Sequence, residues 1–414
     1  MLTKYGELLK NRRYLQYLLA QILSMLCDII FKMSLLWAIA SEQKGLSSAS
    51  VVLLLTFLPQ VTVGLIGGFA IDRFNRKLVM AISDLTSGFA VLLLFFLMRG
   101  KAIDFLPLLI IRFVLSTMDV FYYPAAMAFL PELVGAEQVM LANTLYNIIR
   151  QTVNILGAAV TGITLMLVSM ENVFLINAIL YFSAAALIFF ISVKGSAGEK
   201  KKVEKAKPHD FVQGFLTIAG DGYLRQFTVL TFALNIVLFI AYQLPPFFAE
   251  QVLQGNAATY SAIQTVSSAG VIAGLVVFSA LNAKKAGKWY AAGNAIAGIA
   301  LTILGLVTRK GAAYMLFFAF AFSDALSIPA FTYFQMYVDD AVKGRVFSAF
   351  DTLVLLAMPV SSLIMGLIGE GAISNTYVGC GIAVILISLL ALCMGRFRGI
   401  ALHENHSTRK SLRQ

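Results

Sequence analysis

Long apolar stretches alternate with short polar ones along the whole chain. Apolar runs fall at about residues 14–40, 48–71, 78–98, 103–130, 141–168, 172–193, 224–249, 257–281, 288–308, 312–335, 345–369 and 374–395, twelve in all. About 20 apolar residues in a helix cross the hydrocarbon core of a bilayer. A barrel strand needs only about 10, with strict alternation, and these runs are longer and do not alternate. The pattern therefore predicts an all-α membrane protein with twelve transmembrane helices. The first run carries Asp28 and Lys32 near its middle, so it reads as a retained helix, not a cleaved leader.

One polar stretch, KGSAGEKKKVEKAKPHD (194–210), divides the runs six and six and reads as a flexible linker. The segment after it, FVQGFLTIAGDGYLRQF, has the pattern of a surface helix leading into span seven. The predicted organisation is a six-helix bundle over 1–193, a linker with a surface helix over 194–222, and a second bundle with a tail over 223–414. The halves echo each other. Span four contains DVFYYPA (119–125) and span ten contains DALSIPA (324–330), so Asp119 and Asp324, Pro124 and Pro329, and Ala125 and Ala330 share an offset of 205. The two bundles are thus expected to be pseudo-symmetric. Internal repeats of this kind mark secondary transporters, whose sites lie near the midplane.

Composition agrees. The 414 residues are 59% hydrophobic and 13% charged, against about 45–50% and about 25% in soluble domains. The net charge of +11 has a topological explanation. Twenty-four Lys and Arg fall on the side holding both termini and the central linker, five fall on the other, and Lys32, Arg112 and Arg150 lie inside spans. The positive-inside rule puts both termini in the cytoplasm, so the basic excess needs no nucleic-acid partner. Cys27, Cys380 and Cys393 sit in apolar segments, with no spacing for a metal site or disulfide framework. There is no GxxxxGK[ST] loop for ATP and no nucleophile–base–orienter set for catalysis. A gradient-driven carrier without cofactor or metal is expected, rather than a pump or an enzyme.

Ionisable groups at membrane depth are costly, by about 2.5–3.5 kcal/mol on insertion scales, and usually face a cavity or a partner. Asp28, Asp119 and Asp324 are the candidate proton-coupling carboxylates, and Lys32, Arg112 and Arg150 their ion-pair or proton-affinity-tuning partners. Asp84 and Asp351 fall closer to the interfaces. Asp28 and Lys32 are four apart on one helix face, which suits either a structural ion pair or a protonatable carboxylate tuned by a cation. Arg112 and Asp119 are seven apart, again on one face. Asp324 suits either a second coupling site or a packing hydrogen bond to a neighbouring Ser or Thr. His209, His403 and His406 all lie in linker or tail, so carboxylates must carry any coupled proton. Sodium stays open as the coupling ion. Tyr122, Tyr123, Phe331 and Tyr333, beside the repeated prolines, are candidate cavity-lining residues. Gly270 and Gly274 have the spacing of close helix packing, and Pro245–Pro246 is expected to break or end span seven.

The stretch GFAIDRFNRK (68–77) resembles the signature between helices two and three of the major facilitator superfamily, through Gly68, Asp72, Arg73, Arg76 and Lys77. Asn75 stands at the usual glycine and is a residue that tolerates left-handed backbone. LTFLPQVTVGLIGGFAIDRFNRK (55–77), PAAMAFLPELVGAEQVMLANTL (124–145) and VDDAVKGRVFSAFDTL (338–353) resemble the macrolide-efflux-like branch, which is similar to siderophore exporters. NILGAAVTG (154–162) resembles the helix-five antiporter signature, with Ala158 where that motif has Pro. The resemblance implies a monomeric multi-pass transporter of the bacterial plasma membrane, working by alternating access with a small-molecule cargo and membrane lipids as its partners. It implies proton-coupled efflux of amphiphilic or hydrophobic molecules such as drugs. Lysophospholipid, siderophore or peptide cargo, and a non-transporting receptor or scaffold, are the alternatives. It also implies a cytoplasmic gate in which Asp72 meets the start of helix eleven around Gly344 and Arg345, where a carboxylate is favoured by a helix N-terminus.

Overall fold

Asn11 starts the first membrane helix: its side chain accepts from the N–H groups of Arg13 and Tyr14, satisfying two of the orphan donors at the helix start. A computed structural model of the protein describes residues 8–42, 45–63, 75–99, 105–135, 138–192, 208–280, 286–339, 342–369 and 371–394. The main helices are α1 (Arg12–Ser41), α2 (Gly45–Thr62), α3 (Arg76–Met98), α4 (Phe105–Leu133), α5 (Val139–Leu167) and α6 (Met170–Phe189). They continue with α7 (Pro208–Gly220), α8 (Gly222–Gln243), α9 (Ala257–Ala280), α10 (Ala286–Leu304), α11 (Lys310–Asp324), α12 (Ile328–Tyr337), α13 (Lys343–Gly366) and α14 (Ile373–Cys393). No strand occurs among the described residues.

Among the described residues, ten helical segments are long and apolar enough to cross a membrane. α2 and α10 are two further apolar helices, which makes twelve among the described residues. Exposed side chains such as Phe89, Phe96, Leu106 and Leu389 are apolar, as lipid contact requires. α8 is prolonged past Leu244 by a turn at Pro245–Phe247 and a π-helical turn at Phe248–Val252, so the proline pair changes the helix type without ending the segment.

The chain divides into two compact units, one holding α1 to α6 (α2 from Ser48 onward) and the other α7 to α14. In the first, α1 packs on α5 and α6, and α3 packs on α4 and α6. In the second, α8 packs on α13 and α14, and α10 packs on α11 and α14. Counting spans from the start of each half, these are the same four pairings, so the internal repeat seen in the sequence is also a repeat of packing partners.

The repeat is not perfect. α4 runs straight through Pro124, whereas the equivalent segment breaks: α11 ends at Asp324, a 3-10 turn covers Ala325–Ser327, and α12 begins with Pro329 in its first turn. Span ten is thus two helices, with Asp324 exposed at the joint instead of central in one helix. Proline is welcome in a first helical turn, where its missing N–H costs nothing.

Asn75 is extended, at φ −68° and ψ 112°, and caps α3 by accepting from the Leu78 N–H. Asp84 is buried in the first unit, 3% exposed. The glycine pair packs as its spacing predicts. A Cβ at Gly270 would lie 2.5 Å from the Phe318 carbonyl oxygen, and one at Gly274 2.5 Å from that of Phe322, so α9 and α11 touch backbone to backbone. Cys27 and Cys380 are buried thiols, and Cys393, at the end of α14, is exposed.

Candidate functional site

Three helices of the first unit turn polar stripes toward one cavity of about 600 Å³. On α1 the stripe is Gln21, Ser24, Asp28 and Lys32, at intervals of three and four that keep it on one face. On α5 it is Tyr146, Arg150 and Asn154, each four residues apart. On α4 it is Asp119 with Tyr122 and Tyr123, and α2 adds Gln60. Pro124 has no N–H, so the carbonyl four residues earlier, at Val120, lacks its usual helical donor. Both residues line the cavity.

Hydrogen bonds hold this face in place. Asn177 and Tyr181, four apart on α6, both reach α1: Asn177 Nδ2 donates to the Cys27 carbonyl at 3.1 Å, and the Tyr181 hydroxyl donates to Asp28 Oδ1 at 2.8 Å. Asp28 therefore takes a neutral donor. It forms no ion pair with Lys32, since the Arg76–Glu132 pair is the one salt bridge seen among the described residues. Arg112 is 2% exposed and makes no salt bridge to a carboxylate among the described residues. Its Nε donates to Thr56 Oγ1 at 2.8 Å, and its guanidinium lies 5.9 Å from the centre of the Phe31 ring. Thr56 gives its own proton to the Val52 carbonyl, which leaves a lone pair for the arginine.

Behind the cavity lies a group whose partners the sequence alone does not show. Gln21 Nε2 donates to the Tyr122 hydroxyl at 3.0 Å, Tyr122 donates to Ser24 Oγ at 3.0 Å, and Ser24 donates to Asp84 at 2.9 Å. This chain ties α1, α4 and α3 together and ends on a carboxylate. Asp84 also borders a void of about 10 Å³ with Asp28, Asp119 and Tyr181, roughly the room one water needs. The sequence held a signal for it: Ser83, Asp84 and Ser87 form a polar face inside the long apolar run of α3, and all three are buried.

Of the remaining candidates, Gly68, Asp72 and Arg73 lie outside the described residues. Arg76 pairs with Glu132 at 2.7 Å and also donates to the Ala128 carbonyl at 2.9 Å, near the end of α4. Lys77 donates to the Ile191 carbonyl at 2.9 Å, just past the end of α6, and lies over the Phe189 ring. Cations belong at the carbonyl-rich ends of helices. In the second unit, Arg345 Nη1 donates to Gln213 Oε1 at 2.6 Å, which ties the start of α13 to α7, and Gly344 faces open space. Phe331 and Tyr333 belong to an aromatic stack with Phe334, Phe350 and Tyr223 within the second unit. Asp324 is likewise in the second unit, and its backbone carbonyl accepts from Ser327 Oγ. Among the described residues, no group of three or more His, Cys, Asp or Glu side chains is arranged to hold a metal.

The sequence profile of the Major Facilitator Superfamily matches residues 17–362, most of the chain. The chain belongs to the major facilitator superfamily. It is therefore a membrane transport protein and not an enzyme. It is 21% identical over 393 residues to the uncharacterised MFS-type transporter YvqJ of Bacillus subtilis (strain 168), covering 93% of this chain and 92% of the relative. It is 21% identical over 389 residues to macrolide efflux protein A of Streptococcus pyogenes, covering 92% of this chain and 96% of the relative. With the putative bacilysin exporter BacE of Bacillus amyloliquefaciens it is 26% identical over 312 residues, covering 74% of this chain and 76% of the relative. Solved structures share the fold. A bacterial homologue of the iron transporter ferroportin, in an inward-facing state, superposes with a TM-score of 0.72 at 14% identity, covering 92% of this chain and 98% of that one. A peptide transporter POT superposes with a TM-score of 0.71 at 11% identity, covering 93% and 94%.

Proposed function

We propose that this superfamily member is a proton-driven exporter of small amphiphilic molecules. It would work as an antiporter whose cargo cavity opens to one face of the membrane at a time. The observation that carries the reading is the cavity of the first unit, where Asp28 and Asp119 stand among Tyr122, Tyr123 and Tyr146. Its volume of about 600 Å³ lies inside the range of about 300–1,000 Å³ typical of small-molecule sites. Carboxylates serve as proton carriers here because the chain's three histidines all fall in linker or tail. Efflux relatives support the outward direction. The basic-residue distribution supports a plasma membrane with both termini in the cytoplasm.

The test is uptake of a fluorescent cationic amphiphile into proteoliposomes with an imposed pH gradient. Asp28→Asn and Asp119→Asn should each abolish gradient-driven accumulation while leaving the protein folded by circular dichroism. Accumulation without a pH gradient, or undiminished in the double variant, would sink the reading.

A further inference from the structure

The cavity presents charges of both signs, and most of them are unmatched. The Arg150 Nε is buried with no partner, and neither Arg150 nor Lys32 makes a hydrogen bond or ion pair among the described residues. The carboxylates are not equally free. Asp28 already accepts from Tyr181, and Asp84 from Ser24, while Asp119 lines the cavity without a hydrogen-bond donor among the described residues. Lys32 is exposed and Arg150 and Asp119 are half-buried, so these charges face the open cavity, where a ligand can complete them. Two free cations call for an anionic group, and one free carboxylate calls for a positive one.

The sign of coupling adds a second constraint. A purely anionic cargo would bind better when a neighbouring carboxylate is protonated, so proton and cargo would travel together. A cargo with a positive group would compete with the proton, which is what exchange in opposite directions requires.

We propose that the cargo is a zwitterion, its anionic group held by Lys32 and Arg150 and its ammonium group displacing the proton from Asp119. This rests on the proton-exchange reading above and narrows its substrate class. The exchange balances: the Asp119 carboxyl gives up one proton to solvent as one cargo cation takes its place. Asp119 is faced by Asp28 and Lys32 from α1, Arg112 from its own helix, Asp84 from α3 and Tyr181 from α6, and Arg150 of α5 lines the same cavity. Asp28 and Asp84 add to the pull on an ammonium group, while Lys32 and Arg112 oppose it, so the anionic end must lie toward Lys32 and Arg150. Gln21, Gln60 and Asn154 supply neutral hydrogen-bonding groups around the cavity.

One dipeptide body in four charge forms tests this: phenylalanyl-phenylalanine, its methyl ester, its N-acetyl derivative and the neutral N-acetyl methyl ester. Titration calorimetry on the full chain in nanodiscs should find the zwitterion bound about tenfold tighter than either singly charged form, given what a hydrogen bond to a charged group contributes. Lys32→Gln and Arg150→Gln should each weaken the two carboxylate-bearing forms and spare the methyl ester. Asp119→Asn should weaken the two amine-bearing forms and spare the N-acetyl derivative. It should also abolish the proton release on binding, read from the dependence of heat on buffer. Lys32→Arg and Arg150→Lys should restore binding, which separates lost charge from lost fold. Equal affinity for all four forms, binding of none of them, or indifference to the two glutamine variants overturns the proposal. The two readings fail separately. Charge-dependent binding of the zwitterion with no flux under a pH gradient sinks the exporter reading alone. Gradient-driven flux of the neutral form with none of the zwitterion sinks this proposal alone.

Discussion

Arg112 shows how a single charged side chain survives at membrane depth. It has a hydroxyl on one side, a ring face on the other, and is 2% exposed. Thr56→Val keeps the shape and removes the acceptor, leaving the Nε–H without its partner. An unsatisfied buried donor costs about 1–3 kcal/mol, so the variant should melt measurably lower in detergent. Thr117→Val, where the hydroxyl only back-bonds to the Phe113 carbonyl on an exposed surface, should not. Equal losses would mean that the threonine–arginine contact contributes nothing. The sequence marked Arg112 as unusual because a charge in an apolar run is unusual. It did not reveal the partner, which is 56 positions away on another helix. The partners of Asp84 were hidden for a related reason. Its distance from the end of the apolar run is legible, but which neighbours cover it depends on Ser24 and Tyr122 arriving from two other helices.

Elements were legible where a local rule governs them. Gly270 and Gly274 are spaced for close approach, and the carbonyls of Phe318 and Phe322 are close by. Gly270→Leu should therefore force α9 and α11 apart, with an overpacking cost of about 1–3 kcal/mol. Gly379→Ala on α14, where an added Cβ meets nothing within 4 Å, should be neutral or stabilising, because alanine is the better helix former. Thermal melts of the two purified variants check this, and a Gly270→Leu protein as stable as the parent would refute the close crossing. The break in span ten was not legible. Pro124 and Pro329 are equivalent in the repeat, yet α4 continues through the one and a new helix begins at the other. A proline reports a missing donor. Whether the chain bends, tightens into a 3-10 turn or runs on is decided by the packing around it.

At the scale of the whole molecule, the twelve spans and the six-and-six division follow from apolar length and one polar linker, and need no tertiary information. The repeated pairings, α1 with α5 and α6 answered by α8 with α13 and α14, extend the short Asp-x4-Pro-Ala echo into three dimensions. The chemistry was less evenly distributed than that symmetry suggests. Asp119 joins a charged cavity, whereas Asp324 stands at a helix joint in a unit whose candidate aromatics are stacked on one another. A repeat in sequence therefore predicted architecture better than it predicted where the charges gather.

The burial of the thiols has a practical outcome for anyone attaching probes to this carrier. The sulfur of Cys27 lies 3.7 Å from the Asn177 carbonyl oxygen, Cys380 is 7% exposed, and only Cys393 is exposed. Mass spectrometry after N-ethylmaleimide treatment should show at most one adduct on the folded protein and three after denaturation in SDS. More than one adduct before denaturation would contradict the packing of α1 on α6 or of α14 on its neighbours. With the single change Cys393→Ser, the chain would become a nearly blank background for fluorophores or spin labels, with no need to disturb the two buried cysteines.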